Sequence, residues 1–240
     1  MDTAEASTLC PAVESCGGCP LMRLSIGEQH QHKRKRVCDL LAEVGLEVPA
    51  AVPMVTATSD RAYRNRIRLK VGDNGELGFF NVDKLADCMV LTDSLSGLVA
   101  ELRSLAKEEP ELVAAFEYLE ARSADQDGIR AVSFHVRPDK VAPDLSLLQR
   151  RLGTQTLLAL TLEHAREGGP KQRFSLCEDS WSYVPLGSFM QVNHAVNQKL
   201  IAYFLNRAAL HEVKDFIDLY CGAGNLSLPL LVRGLKGGGV

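Results

Sequence analysis

The hydrophobic and polar positions alternate between a helical period and a two-residue period along the chain. Val37, Leu40, Leu41 and Val44 recur at i, i+3, i+4 and i+7, the spacing of one helix face. Ser25-Ile-Gly-Glu28 ahead of them is a capping box, and Gly45 closes the helix. From Arg61 to Val71 the period changes to two. Arg64, Arg66, Arg68 and Lys70 alternate with Asn65, Ile67, Leu69 and Val71, which predicts a half-buried strand with one cationic face. Asp73-Asn-Gly75 is a turn signal, and Glu76 to Phe80 returns as the second strand of a hairpin.

Farther on, Asp93 to Arg122 reads as two helices broken near Pro110. Ile129 to Arg137 is a strand with Val132, Phe134 and Val136 on one side. Asp144 to Leu152 is a short helix, and Thr156 to Leu162 another strand. A loop at Gly168-Gly-Pro170 precedes a hairpin of Phe174 to Leu176 and Trp181 to Val184. Asn193 is an N-cap for a helix whose stripe is Val196, Leu200, Ile201, Phe204 and Leu205. Phe216, Ile217 and Leu219 then form an apolar run expected to be a buried strand. Gly222 and Gly224 follow as a tight turn, and Leu226 to Leu231 begins a helix. A further strand starts close to Val240. This mixture predicts an α/β fold with a mixed α/β centre.

The strand–Gly-x-Gly–helix unit at 215–231 is a general device for holding a nucleotide-like ligand at a sheet's carboxyl edge. It lacks the third glycine of the dinucleotide fingerprint, which argues against NAD. Asp218, late in the strand, can reach a ribose or a cationic group. An ordinary strand-to-helix turn is the competing reading.

Length and composition add bounds. At 240 residues the chain can hold one large or two small domains, and 46% hydrophobic with 24% charged residues is ordinary for a globular protein. The net charge of −3 means that any nucleic-acid surface is a local patch. Two patches qualify: the His30 to Arg36 run and the alternating Arg64, Arg66, Arg68 and Lys70. Solvated helix face and ion pairing to carboxylates are the respective alternatives. No run of 18 apolar residues predicts a membrane span, and no export signal is visible.

Cysteine usage sharpens the picture. Three of the seven cysteines crowd into Cys10-Pro-Ala-Val-Glu-Ser-Cys16-Gly-Gly-Cys19. Thiolates so close repel one another, and a shared cation removes that cost. An iron–sulfur cluster takes four thiolates, with Cys88 the fourth candidate at the end of the strand-like run Leu85 to Leu91. Four-cysteine zinc and three unligated thiols are the alternatives. Cys38, Cys177 and Cys221 stand alone and read as structural.

Taken together, Cys10, Cys16, Cys19 and Cys88, the stretch Phe189-Met-Gln-Val-Asn193 and the stretch Asp218 to Pro229 resemble the iron–sulfur branch of the RNA uracil-5-methyltransferases. The resemblance covers nearly the whole chain. It implies an iron–sulfur loop at 1–24, an amphipathic helix at 25–48, a central α/β domain at 49–184, and the start of a Rossmann-like S-adenosylmethionine domain at 185–240. By family pattern Gln191 and Tyr220 line the cofactor site, and Gly222 and Gly224 form the turn beside the methionine part. The cofactors implied are S-adenosyl-L-methionine and a [4Fe-4S] cluster. The implied partner is RNA, ribosomal in preference to transfer RNA, and the implied protein is a cytoplasmic monomer. The family's cysteine nucleophile and glutamate base are expected beyond Val240, which makes this chain the N-terminal part of a longer enzyme and inactive by itself. Cys221 lies in the turn and is not that nucleophile. A catalytically inactive RNA-binding or iron–sulfur sensor protein is the alternative.

Overall fold

The computed structural model describes residues 10–47, 54–57, 59–79, 87–124, 128–161, 170–177, 180–186 and 188–240. Its centre is a five-stranded sheet in the order β2-β1-β3-β4-β5, formed by Arg66–Val71 (β1), Leu77–Gly78 (β2), Phe116–Ala124 (β3), Ile129–Val136 (β4) and Thr156–Thr161 (β5). All pairings are antiparallel except β4 with β5. The alternation expected of β1 holds: Ile67, Leu69 and Val71 are buried while Arg68 and Lys70 face out.

Helices Asp93–Glu108 (α3) and Leu145–Leu152 (α5) pack against the apolar side of this sheet. Leu95, Leu98 and Leu102 of α3 meet Leu69, Leu119, Val132 and Phe134 in one core with Leu148 of α5. The Asp144 carboxylate accepts from Ser146 N–H at 2.8 Å and caps α5. Phe116 and Phe134 add a tilted aromatic pair with ring centroids 4.9 Å apart.

The second helix expected before Arg122 is a single turn, Pro110–Val113 (α4), and the residues after it form β3. Glutamates and alanines favour helix locally, but β3 lies between β1 and β4, and the ladders on both sides outweigh that preference.

The N-terminal region carries a short helix, Val13–Cys16 (α1), a 3-10 turn at Pro20–Arg23, and the long helix Ile26–Glu43 (α2). Ser25 and Glu28 form the capping box as expected, and Gly45 takes φ +77 beyond the helix end. The apolar face of α2 differs from expectation: Val37, Leu40 and Val44 are exposed, because no described element covers them.

The C-terminal part contains Lys171–Cys177 (β6) paired antiparallel with Ser180–Pro185 (β7), helix His194–Leu210 (α6), then Asp215–Asp218 (β8), Ser227–Val232 (α7) and Lys236–Gly239 (β9). Asn193 caps α6 by accepting from Val196 N–H at 3.0 Å. Of the stripe predicted on α6, Ile201 is buried and Phe204 is exposed. β8 pairs in parallel with β9. The expected burial of β8 is not found: Ile217 is 80% exposed and Leu219 is exposed as well. A two-stranded parallel pair has too little cover to bury both faces, however apolar its sequence. The strand ends expected at Phe80 and Leu162, most of the run preceding Cys88, and the glycines of the 168–170 loop lie outside the described residues. Among the described residues no helix is long and apolar enough to cross a membrane.

Candidate ligand cleft and cysteine site

The cleft is built where β6–β7, the 188–193 segment, the first turn of α6 and the β8–α7 turn meet. Its volume is about 200 Å³. Gln191, Tyr220 and Gly222 line it, and Asp218 is also on its wall. Gly224 stands one residue removed from the lining, at φ +79, where an added Cβ would lie 2.8 Å from Leu228 Cγ. Gly222 is at φ +56, and Tyr220 itself adopts φ +62. A tyrosine in the left-handed region stores strain of order 1 kcal/mol, and such residues concentrate at functional sites. Tyr220 is 97% exposed and stands at the cleft edge.

Hydrogen bonds fix the cleft walls. Asn197 and Asn225 exchange reciprocal amide bonds of 2.8 and 2.9 Å, which lock α6 to the glycine turn. Ser182 donates to the Ala223 carbonyl at 2.7 Å, tying β7 to the same turn. Ser227 donates to the Asp218 carboxylate. The hairpin residues Phe174, Ser182 and Val184, together with Asn65 from the segment entering β1, were not foreseeable as cleft residues. They arrive from distant sequence, whereas Gln191, Tyr220, the paired glycines and the Asn193 cap were marked by local motifs.

The cleft is joined to the central sheet. Asn65 N–H donates to the Val192 carbonyl at 3.0 Å, and Arg64 bridges to Asn193. Arg122, buried in β3, donates to the Pro185 carbonyl at 3.3 Å and also to the Ser188 carbonyl. Its charge is met by Glu120, two residues away on the same strand face, at 2.8 Å. Arg66 reaches the same carboxylate at 2.8 Å and Arg68 at 3.5 Å. Burial opposes ionisation of Glu120, but the hydrogen bonds and charges of Arg66 and Arg122 outweigh it and hold the carboxyl below its usual range. Burial likewise lowers the Arg122 pKa, against the support of Glu120.

The four cations predicted on one strand therefore differ in surroundings. Arg66 and Arg68 share Glu120, and Arg68 also lies over the Tyr118 ring, 4.3 Å from its centroid. Lys70 is exposed. Arg64 donates through Nε to the Arg66 carbonyl at 2.9 Å, and its charge acts on Cys19.

The cysteines share one neighbourhood. Cys10, Cys19 and Cys88 pack around Val13, Met22 and Val90, and Cys16 and Cys88 together border the main core. Cys88 lies ahead of a turn rather than ending a strand. Burial pushes the Cys19 thiol up, and the charges of Cys88, Cys16 and Cys10 add to it against Arg64. Burial also raises Cys88, ahead of weaker effects of Cys16 and Cys10. All four are free thiols. Among the described residues no set of three such side chains stands at metal-ligand spacing. Soft sulfurs are the ligand type of an iron–sulfur cluster or of zinc, but the described side chains are not gathered at ligand distances.

Residues 172–235 match a family model described as tRNA (Uracil-5-)-methyltransferase. The chain is 29% identical to the 23S rRNA (uracil(1939)-C(5))-methyltransferase RlmD of Vibrio cholerae, covering 92% of this chain and 52% of that protein. It is 32% identical to RlmD of Halomonas elongata, covering 97% and 53% respectively. The chain thus spans about half the length of these curated relatives. In fold it is similar to a Pyrococcus abyssi tRNA (uracil-54, C5)-methyltransferase solved in complex with S-adenosyl-L-homocysteine. That match has a TM-score of 0.68 and 22% identity, over 93% of this chain and 58% of the other. In fold, and in sequence along nearly its whole length, the chain is thus similar to RNA uracil-5-methyltransferases.

Proposed function

We propose that the protein methylates C5 of a uridine in RNA, with S-adenosyl-L-methionine as donor. The observation that carries this reading is the cleft, where Gln191, Tyr220, Asp218 and Gly222 converge on one space beside a glycine turn. Gln191 and Tyr220 are the proposed cofactor contacts. Gly222 and Gly224 hold the turn beside the methionine part, since their positive φ lets the backbone approach a ligand closely. Uracil C5 is a poor nucleophile. Addition of a cysteine thiolate to C6 makes C5 enolate-like, C5 takes the methyl group from the sulfonium, a base removes the C5 proton, and the thiolate leaves. The family's nucleophile and base do not map onto residues of this chain. Ribosomal RNA is the favoured substrate, in keeping with the activity named for the Vibrio and Halomonas relatives. A cytoplasmic monomer divided at about residues 24, 48 and 184 completes the proposal.

Cys10, Cys16, Cys19 and Cys88 are the proposed ligands of a [4Fe-4S] cluster, whose part is structural or RNA-contacting because methyl transfer moves no net electrons. Arg64, Arg66, Arg68 and Lys70 are the proposed RNA contacts, with Arg68 and Lys70 the two that face outward.

Three measurements test these proposals. Labelled S-adenosylmethionine should pass its methyl group to C5 of uridine in bulk ribosomal RNA, and a protein carrying the family's nucleophile and base that transfers none refutes the activity. Anaerobically purified protein should contain about four irons per chain. Zinc in place of iron refutes the cluster. Loss of Arg68 and Lys70 together should weaken RNA binding and flatten its salt dependence.

A further inference from the structure

The β6–β7 hairpin has two unlike faces. Phe174, Ser182 and Val184 are buried on its inner face and line the cleft. The alternate positions, Lys171, Arg173, Trp181 and Tyr183, fall on the outer face. Tyr183 is 62% exposed, and Trp181, the single tryptophan of the chain, is 37% exposed. The Arg173 guanidinium lies over the Trp181 ring, 3.7 Å from its centroid, and Arg173 stands directly across the ladder from Tyr183. Lys171 is exposed on the same face. The cation on its face fixes the Trp181 ring before any partner arrives, so two neighbouring aromatic side chains are presented to solvent on a firm support.

We propose that this outer face is a stacking surface for unpaired bases of the RNA substrate, beside the uridine that enters the cleft. This rests on the methyltransferase reading above. The chemistry of the face selects the partner. Exposed ring faces suit the faces of bases, whatever their sequence. The two cations suit the phosphates that link those bases, and the described outward positions of the hairpin hold no carboxylate to oppose them. An apolar protein surface would suit the rings but would strip water from Arg173 and Lys171 without matching their charge. A duplex would bring phosphates but keep its base faces stacked within the helix. Position adds a further argument. The same two strands wall the cleft, and a base that leaves its stack to enter a cleft deprives its neighbours of a stacking partner. Tyr183, the more open ring, takes such a neighbour, and Trp181 extends the surface behind it.

The test is a titration with a short single-stranded RNA and with an abasic ribose-phosphate oligomer of equal length, read by Trp181 emission and by the anisotropy of a dye on the oligomer. RNA should quench Trp181 and bind roughly tenfold more tightly than the abasic oligomer. Tyr183→Ala should lose that preference yet keep its affinity for the abasic oligomer, and Tyr183→Phe, which keeps the ring, should retain it. Both variants should bind S-adenosylhomocysteine within about twofold of the parent, since Tyr183 is not among the cleft residues. Equal affinity for RNA and the abasic oligomer overturns the stacking surface, as does RNA binding that leaves Trp181 emission unchanged. So does a Tyr183→Ala protein that keeps the preference. In each of these cases a parent that still binds S-adenosylhomocysteine leaves the methyltransferase reading standing. A parent that binds neither RNA nor S-adenosylhomocysteine overturns both.

Discussion

The strands β3 and β8 make an instructive pair. β3 carries Glu120 and Arg122, two charges that a hydrophobicity pattern would place at the surface, and both are almost fully buried. β8 carries Phe216 and Ile217, which the same pattern would bury, and Ile217 stands largely in solvent. Neighbours decide the outcome. β3 has a strand on each side and helix α3 over one face. β8 has one strand partner, β9, which is largely glycine and supplies few side chains to pack against. Apolar content confers stability only where a second surface exists to meet it.

The strongest challenge to that contrast is Phe134→Ala in the central core. It should cost about 3–5 kcal/mol in urea unfolding, because a large ring is deleted from a close-packed space. A value near 1 kcal/mol would mean that this core is looser than its burial implies. Glu120→Gln should cost about 3 kcal/mol, since it leaves Arg66 and Arg122 sharing no counter-charge. Its pH dependence sharpens the point. The folded-state pKa of Glu120 is depressed, so its contribution is fully present above the ordinary glutamate value of about 4.3 and is lost as pH falls through the folded value. Glu120→Gln should therefore flatten the acid limb of a stability-against-pH curve, and an unchanged limb would contradict the pairing.

Smaller effects are expected on the cleft side. Asn225→Ala removes two amide hydrogen bonds and leaves Asn197 unpartnered there, a cost of about 1–2 kcal/mol, with weaker S-adenosylhomocysteine binding by calorimetry. Ile217→Ala should change stability by less than about 0.5 kcal/mol, because the side chain is already in water. If Ile217→Ala proves as costly as Phe134→Ala, the contrast between the two strands fails.

Local signals were readable in the sequence because they depend on a few adjacent residues. The Ser25–Glu28 capping box, the Asn193 cap, the Asp73-Asn-Gly75 turn and the Gly222–Gly224 turn all stand where their chemistry places them. β3 was not readable, because its Glu, Leu and Ala residues favour helix until β1 and β4 flank it. The two β1 arginines that reach Glu120 sit 54 and 52 residues away from it, a distance over which no periodicity speaks. The same holds for the cleft. Gln191 and Tyr220 were marked by motif, but Asn65 looked like one more inward position of a basic strand. Its place on the cleft wall is visible only once the chain has folded. The exposed stripe on α2 has the opposite cause: the period was right, and no described element lies over it.

Arg122 bears on what the chain can tolerate. Its guanidinium divides its donors between the Glu120 carboxylate and two carbonyls, Pro185 and Ser188, on the approach to Gln191. A lysine keeps the charge but brings three donors on a single nitrogen, and cannot reach partners shared among the three nitrogens of a planar fork. The substitution most often taken as harmless would thus release the strip of backbone that carries Gln191, and a change inside the sheet would surface as poorer cofactor retention some seventy residues later in the chain.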